Sequence, residues 1–230
     1  MNPEPQYITV SLQEAHSIEW YQQQLWLRNF WQDTPIFMYP TDMVIMADLI
    51  HRLVPSLIIE LGTFAGGSAL FMADRMQANE LGYVLTIDLY DGKWAENNYR
   101  NVQHAGKDRP YLRFRPKSPR IEYFQSNSAA PEAVAHAKKA AEDARRTYPN
   151  QPIFVIVDSD HSYEHAAKEL ELYAPLVTVG GYLIADDTNT EAPLRAVLDF
   201  LGKHPEFEAD RDCERLLIGN RMGGWLRKVR

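Results

Sequence analysis

The chain has 230 residues, 45% of them hydrophobic, which is enough to bury one sizeable core and suits one domain with a terminal addition. Its 24 lysines and arginines against 31 aspartates and glutamates leave a net charge of -7, which speaks against a broad nucleic-acid surface. There is no apolar run of about 20 residues, the opening MNPEPQYITVSLQEAH lacks a basic stretch followed by an apolar one, and Cys213 stands alone; the expectations are no membrane span, no secretory signal, no internal disulfide and a reducing, cytoplasmic setting.

The elements follow in chain order. Residues 11–33 read as helical, with Trp20, Leu25, Leu27, Phe30 and Trp31 as apolar positions. A better helix starts at Thr41, which can cap it, and stops before Pro55. SLIIELG (56–62) reads as a short buried strand, followed by a Gly-rich turn and a helix over 68–82. YVLTIDLY (83–90) and RIEYFQSNS (120–128) are the second and third strands. A helix over 131–149 opens on Pro131, PIFVIVDSD (152–160) is the fourth strand, and YEHAAKELELYAPLV is a helix. GGYLIADD (180–187) is the fifth strand, residues 192–205 form another helix, and the tail RLLIGNRMGGWLRKV supplies one or two closing strands. Strands alternating with helices predict a parallel α/β sheet covered on both faces. Ligands of such sheets bind outside the carboxyl ends of the strands, so the residues ending each strand are the ones to read.

The first strand runs into Glu60-Leu61-Gly62-Thr63-Phe64-Ala65-Gly66-Gly67-Ser68. Glycines here permit a tight turn and a close backbone approach to a ligand. The spacing is not the G-x-G-x-x-G of dinucleotide enzymes. Its E-x-G-x-x-x-G order resembles the first motif of class I S-adenosylmethionine-dependent methyltransferases, and that resemblance assigns Glu60 to the methionine amino end and Gly62, Ala65, Gly66 and Ser68 to the turn beside the adenosyl part. The second strand ends in Asp88, where a carboxylate can accept hydrogen bonds from ribose hydroxyls; Asp91 is its near rival. Ser126 and Ser128, after the third strand, are candidates for the adenine edge.

The fourth strand ends at Asp158 and the fifth at Asp186-Asp187. If the two strands are neighbours, their ends lie roughly 5 Å apart, and three carboxylates converge. Unneutralised, they repel and raise one another's pKa; a divalent cation removes the conflict, and oxygen ligands favour Mg²⁺, Mn²⁺ or Ca²⁺ over zinc. His161, three residues past Asp158, is placed to act as a general base. Asp160 competes with Asp158, which the register puts nearer the strand end. His165 could share a helical face with His161, but an H-x-x-x-H zinc site here lacks the Glu of a metalloprotease motif. Lys107, Arg109, Arg113, Arg115, Lys117 and Arg120 read as a solvated, mobile loop, with an anionic substrate or a nucleic-acid backbone as the sharper alternatives. The N-terminal Trp and Tyr residues read as a packing or subunit surface, with a roof over an acceptor pocket as the alternative.

YPTDMVIMADLI, LIIELGTFAGGSALFMAD, VDSDHSYEHAAKELELYAPLV and GGYLIADDTN together resemble the cephalosporin hydroxylase-like family, similar to metal-dependent O-methyltransferases that act on macrolide sugars. DCERLLIGNRMGGWLRKV resembles that family's closing hairpin. The resemblance implies a Rossmann-like class I methyltransferase fold, a mostly parallel sheet with a C-terminal antiparallel hairpin. Residues 1–40 are then a helical extension and 41–230 the S-adenosylmethionine-binding domain. It also implies Asp158, Asp186 and Asp187 as metal ligands, with Asp158 also beside the cofactor, and His161 as the base. The family's pair is commonly Glu-Asp, so Asp186 is a departure. The expected activity is Mg²⁺-assisted methylation of a hydroxyl on a small secondary metabolite or sugar moiety. Expected partners are that hydroxyl acceptor and further copies of the chain as a homo-oligomer, with no nucleic acid and no membrane. Two alternatives stand beside it: a metal-dependent hydroxylase or oxygenase, which would want two histidines and one carboxylate, and a non-catalytic adenosyl-binding partner protein.

Overall fold

The computed structural model describes residues 11–102 and 109–230. In chain order it runs α1 (Leu12–Gln22), a 3₁₀ turn (Leu25–Arg28), β1 (Phe30–Trp31), β2 (Thr34–Pro35), α2 (Pro40–Leu53), β3 (Leu57–Leu61), α3 (Gly67–Ala78), β4 (Tyr83–Asp88) and α4 (Gly92–Asn101). It continues through β5 (Ile121–Gln125), α5 (Pro131–Thr147), β6 (Ile153–Val157), α6 (Tyr163–Tyr173), β7 (Tyr182–Ala185), α7 (Glu191–Leu201), β8 (Phe207–Ala209) and β9 (Trp225–Lys228).

Among the described residues the main sheet has seven strands in the order β5-β4-β3-β6-β7-β9-β8. The first five are parallel; β9 runs antiparallel to both β7 and β8. Composition explains the placement. LIIEL, IFVIV and YLIA are buried at every residue, as strands covered on both faces must be, whereas the edge strand IEYFQ is only half-buried. Successive residues point to opposite faces. Leu57, Ile59 and Leu61 therefore pack with α5, α6 and α7, and Ile58 packs with α2 and α3. The buried face of α5 is mostly alanine, with Ala133, Ala137, Ala140, Ala141 and Ala144 letting the helix lie close to the sheet.

This is the expected mostly parallel α/β fold with a C-terminal antiparallel pair. Four details differ from the sequence reading. Helix α2 starts at Pro40, with Tyr39 rather than Thr41 at its N-cap and no side-chain cap. The helix expected over 11–33 stops at Gln22. Gln32 and Asp33 both take positive φ, 45° and 61°, and close the two-residue turn of the β1–β2 hairpin, so the apolar Phe30 and Trp31 belong to a strand. Helix α4, where the sequence predicts no element, is capped by Asp91, whose carboxylate accepts the Trp94 N–H at 2.8 Å; the rival to Asp88 is thus a helix cap. The closing hairpin begins earlier than expected, at Phe207, and residues 210–224, with a 3₁₀ turn at Arg211–Glu214, are the loop between its strands.

Two glycines draw the site together. Gly62, at φ 100°, sits so close to the end of β6 that a Cβ would lie 1.8 Å from the Asp158 carbonyl oxygen. A Cβ on Gly67 would lie 2.2 Å from the Pro35 carbonyl oxygen, so α3 can start directly beneath the N-terminal hairpin. Residues 34–39 consequently join the α2–α3 side of the core, with Ile36, Met38 and Tyr39 buried. Gly62→Ala is expected to exceed the roughly 1–2 kcal/mol penalty of a left-handed alanine, because the β6 backbone must also move; urea denaturation measures it, and an unchanged midpoint would contradict the contact.

Candidate active site

The strand order reverses at β3, between β4 and β6, and there a cavity of about 720 Å³ opens at the carboxyl ends of the strands. One side is built by the β3–α3 turn. Gly62, Thr63, Phe64, Ala65, Gly67 and Ser68 line it, while Gly66 and Glu60 do not. Glu60 is fully buried one layer below; its carboxylate accepts the Thr86 hydroxyl at 2.6 Å and a hydrogen bond from Ser68, and burial pushes it up to about 7. It therefore reaches the cavity through Ser68. Asp88 does line the cavity, and it also ties the turn. Its Oδ2 accepts the N–H groups of Thr63 (3.0 Å) and Phe64 (2.7 Å) and pairs with Arg115 at 3.0 Å, while Oδ1 accepts the Tyr90 N–H at 2.8 Å.

After β5, Asn127 and Ser128 face the cavity; Ser126 turns away to bond Glu132 at 3.0 Å. Ser128 meets His165 Nε2 at 3.1 Å, and the same nitrogen lies 3.3 Å from buried Glu169, which also accepts the Ser159 hydroxyl at 2.6 Å. His165 is thus held in a network of its own, apart from His161. The basic stretch is anchored rather than loose: Arg115 binds Asp88, Arg120 donates to Gln77 and the Gly82 carbonyl, and Arg109 lies over the Phe30 ring. Lys107 lies outside the described residues.

The opposite wall is acidic. Parallel pairing of β6 with β7 sets Val157 beside Ala185, so the residues that follow them converge as their register requires. Asp158, His161 and Asp187 bring their ligand atoms within 4.8 Å of one another. His161 Nδ1 lies 2.7 Å from Asp187 Oδ2, and Nε2 lies 3.7 Å from Asp158 Oδ1. Asp187 has φ 51°, a strained position for a residue with a side chain, of the kind that gathers at functional sites. Its N–H donates to Asp186 Oδ1 and its carbonyl accepts from Thr190, which fix that turn.

Asp186, expected as a third ligand, is not part of this group. Its Oδ2 accepts Nε (3.1 Å) and Nη2 (2.7 Å) of the buried Arg221. Burial works against its charge, but Arg221 more than offsets this and holds the carboxyl below its ordinary range. The three carboxylates converge as expected, but the third is paired to a guanidinium, and an imidazole stands beside the other two. Asp160 is an exposed turn residue that accepts the Ser162 N–H at 2.8 Å.

Several site residues escaped the sequence reading. Asn220 and Arg221 come from the loop between β8 and β9; Asn220 donates its side-chain N–H to Asp187 Oδ1. The glycine-flanked GNRMGG was the available signal, a turn with two polar residues where a closing strand was expected. Asp42, in the first turn of α2, accepts the Asn220 backbone N–H at 2.7 Å, and burial raises it to about 7. The N-terminal aromatics do face the cavity: Trp20, Tyr21, Trp26 and Phe37 line it, and the Tyr21 hydroxyl reaches Asp187 Oδ1 and Asn220 Oδ1, both at 3.4 Å. Phe37, Phe64, Trp94 and Tyr90 continue this wall in ring-to-ring contact, with Tyr90 stacked on Trp94 at 3.8 Å.

The Rhamnosyl O-methyltransferase/CmcI family model matches residues 23–229. The chain belongs to that family. It is thereby one of the S-adenosylmethionine-dependent O-methyltransferases. A rhamnosyl O-methyltransferase of Mycobacterium leprae (strain TN) is 29% identical over 213 residues, covering 92% of this chain and 82% of the relative. That of Mycobacterium tuberculosis (strain ATCC 25618 / H37Rv) is 30% identical over 173 residues, covering 74% of this chain and 62% of the relative. Among solved structures, an apo-structure of CmcI aligns with a TM-score of 0.63 at 18% identity, over 88% of this chain and 76% of that one. A cmcI structure titled Mg-SAM aligns with a TM-score of 0.57 at 16% identity, over 99% and 82%. At these identities the two structures share the fold. Among the described residues no helix is long and apolar enough to cross a membrane.

The charge state of the acidic wall is testable. Burial and the charges of Asp186 and Asp187 raise Asp158 well above the carboxylate range, and the hydrogen bonds to Asp158 and Asp187 raise His161 to about 11. The group takes up positive charge, as protons or as a cation. For the imidazole, the stabilisation is present in full below its ordinary value of 6.5 and is lost as pH rises through about 11. In metal-free protein, NMR of the His161 ring should show it protonated throughout pH 6–8, and Asp187→Asn should bring its titration back toward neutrality.

Proposed function

We propose that the protein transfers the methyl group of S-adenosylmethionine to a hydroxyl of a small metabolite or sugar moiety, with Mg²⁺ held between Asp158 and Asp187. The observation that carries this reading is the juxtaposition of Asp158, His161 and Asp187 on the same cavity as the β3–α3 turn and Asp88. The donor set fits a hard divalent cation: two carboxylates that already recruit positive charge, with no thiolate nearby. One histidine among two carboxylates is the inverse of the two-histidine set an iron oxygenase would want, and His165 is engaged elsewhere.

When bound, S-adenosylmethionine supplies the methyl group and Mg²⁺ the charge that makes an acceptor hydroxyl easier to deprotonate. The cofactor is assigned to the side built by Gly62, Ala65, Gly66, Ser68, Asp88, Ser128 and Asp158. Glu60 supports that side through Ser68, and Ser126 belongs to its rim. Asp88 holds the turn in shape and leaves Oδ1 with capacity for a ribose hydroxyl. With Asp158 and Asp187 engaged by a cation, their pull on the imidazole falls, and His161 accepts the acceptor's proton at Nε2, its less engaged nitrogen. Trp20, Tyr21, Trp26 and Phe37 shield the acceptor from water, and catalysis comes chiefly from orientation. The relatives' name motivates a rhamnoside as the first acceptor to try.

With a rhamnoside acceptor, methyl transfer should vanish in EDTA and return with Mg²⁺. Asp187→Asn should lose turnover yet keep S-adenosylhomocysteine affinity by calorimetry. His161→Ala should keep cofactor and metal while kcat falls by about 10²–10⁴, the usual span for a positioned base. Full activity in chelator would sink the metal reading, and a wild-type rate in His161→Ala would sink the base assignment.

A further inference from the structure

The carboxylate of Asp187 is held from two sides. Oδ2 faces His161 and, through it, Asp158; Oδ1 faces Asn220 at close range, with the Tyr21 hydroxyl farther off at 3.4 Å. Asn220 is itself seated firmly, 8% exposed. Its backbone N–H donates to Asp42 at 2.7 Å, and its carbonyl accepts the Thr188 hydroxyl at 3.3 Å. The preceding Gly219 packs against the same Asp42, where a Cβ would approach Oδ1 to 2.4 Å, so a side chain at 219 would push the loop off this seat. The next residue, Arg221, holds Asp186. One three-residue turn thus grips both members of the acidic pair from outside the strand that carries them.

We infer that Asn220 is a positioning residue for the metal-holding group: it occupies Asp187 Oδ1, so that Oδ2 alone is presented toward Asp158 and His161. The inference rests on the metal reading above. A carboxylate free to turn about its Cβ–Cγ bond presents either oxygen, and its share of a cation site is diluted by that freedom. A neutral side-chain amide removes it by donating one hydrogen bond, and adds no charge to compete with the cation. A lysine or arginine at 220 would orient the carboxylate equally well but would repel the ion. Arg221 performs the complementary task, since its charge is spent on Asp186, the acid that stays out of the group. Partners of this kind typically contribute 10–100-fold to metal affinity.

The test needs no acceptor. Mn²⁺ binding to the full chain in complex with S-adenosylhomocysteine is followed by EPR for the wild type, Asn220→Ala and Asn220→Leu. The leucine variant keeps the side chain's bulk, and both variants keep the backbone bonds to Asp42 and Thr188. The expected result is a 10–100-fold weaker Mn²⁺ affinity in both variants, with S-adenosylhomocysteine affinity and thermal midpoint close to wild type. Wild-type Mn²⁺ affinity in the variants would overturn the inference. A joint fall of cofactor affinity, metal affinity and thermal midpoint would make Asn220 a fold residue and would overturn it too. If the wild-type complex binds no Mn²⁺, the metal reading itself fails and takes this inference with it.

Discussion

The site depends on one electrostatic constraint, the crowding of carboxylates where two parallel strands end side by side. Asp158 follows β6, and Asp186 and Asp187 follow β7; the ladder register leaves them nowhere else to go. Asp42 approaches the same region from α2. Charges of one sign that close together in a buried setting do not coexist unaided. The fold answers with Arg221 against Asp186, and with His161 between Asp158 and Asp187. A guanidinium cannot be deprotonated, so its pair is permanent. An imidazole can give way to a cation. That asymmetry sets Asp186, held by a permanent cation, apart from Asp158 and Asp187.

The other half of the cavity is organised by hydrogen bonds rather than charge. Asp88 accepts from the backbone of the turn it faces, which ties the end of β4 to the turn that leaves β3. Glu60 lies underneath and supports Ser68 and Thr86. Gly62 allows β3 to end against the backbone of Asp158, so the turn and the acidic group share one wall. The glycine turn and the acidic group are therefore not independent modules. A displacement of Gly62 would be felt at Asp158 through direct backbone contact.

The aromatic wall adds what the sheet cannot. Trp20 is anchored on Tyr39 with 4.3 Å between ring centroids, which holds the end of α1 over the cavity. Tyr21 then reaches the acidic group while its ring stays partly exposed. The family match begins at residue 23, so these two side chains lie outside the matched span. The matched span carries Asp158, His161, Asp187 and Asn220, and α1 adds Trp20 and Tyr21 to the wall of the same cavity.

Much of this was legible in the sequence because it is local. The central strands announce themselves by unbroken apolar runs, which a strand covered on both faces requires. The glycine turn after Glu60, Asp88 at a strand end and the D-x-x-H of Asp158 to His161 are short-range patterns whose chemistry follows from residue type and spacing. What only the tertiary structure decided involves residues far apart in the chain. Asp186 and Asp187 are adjacent and chemically identical, and nothing local says that one faces Arg221 and the other His161. That division is made by a loop about 34 positions further on, whose place is set by β9 pairing with β7. The helix expected through residue 33 gave way to a hairpin because the turn at Gln32–Asp33 lets Phe30 and Trp31 pack with the rest of the chain. Periodicity reports which face of an element is apolar; it does not report which distant side chain will satisfy a buried charge. The sequence by itself determined that acids would meet at the strand ends, and the fold decided which of them would face Arg221 and which His161.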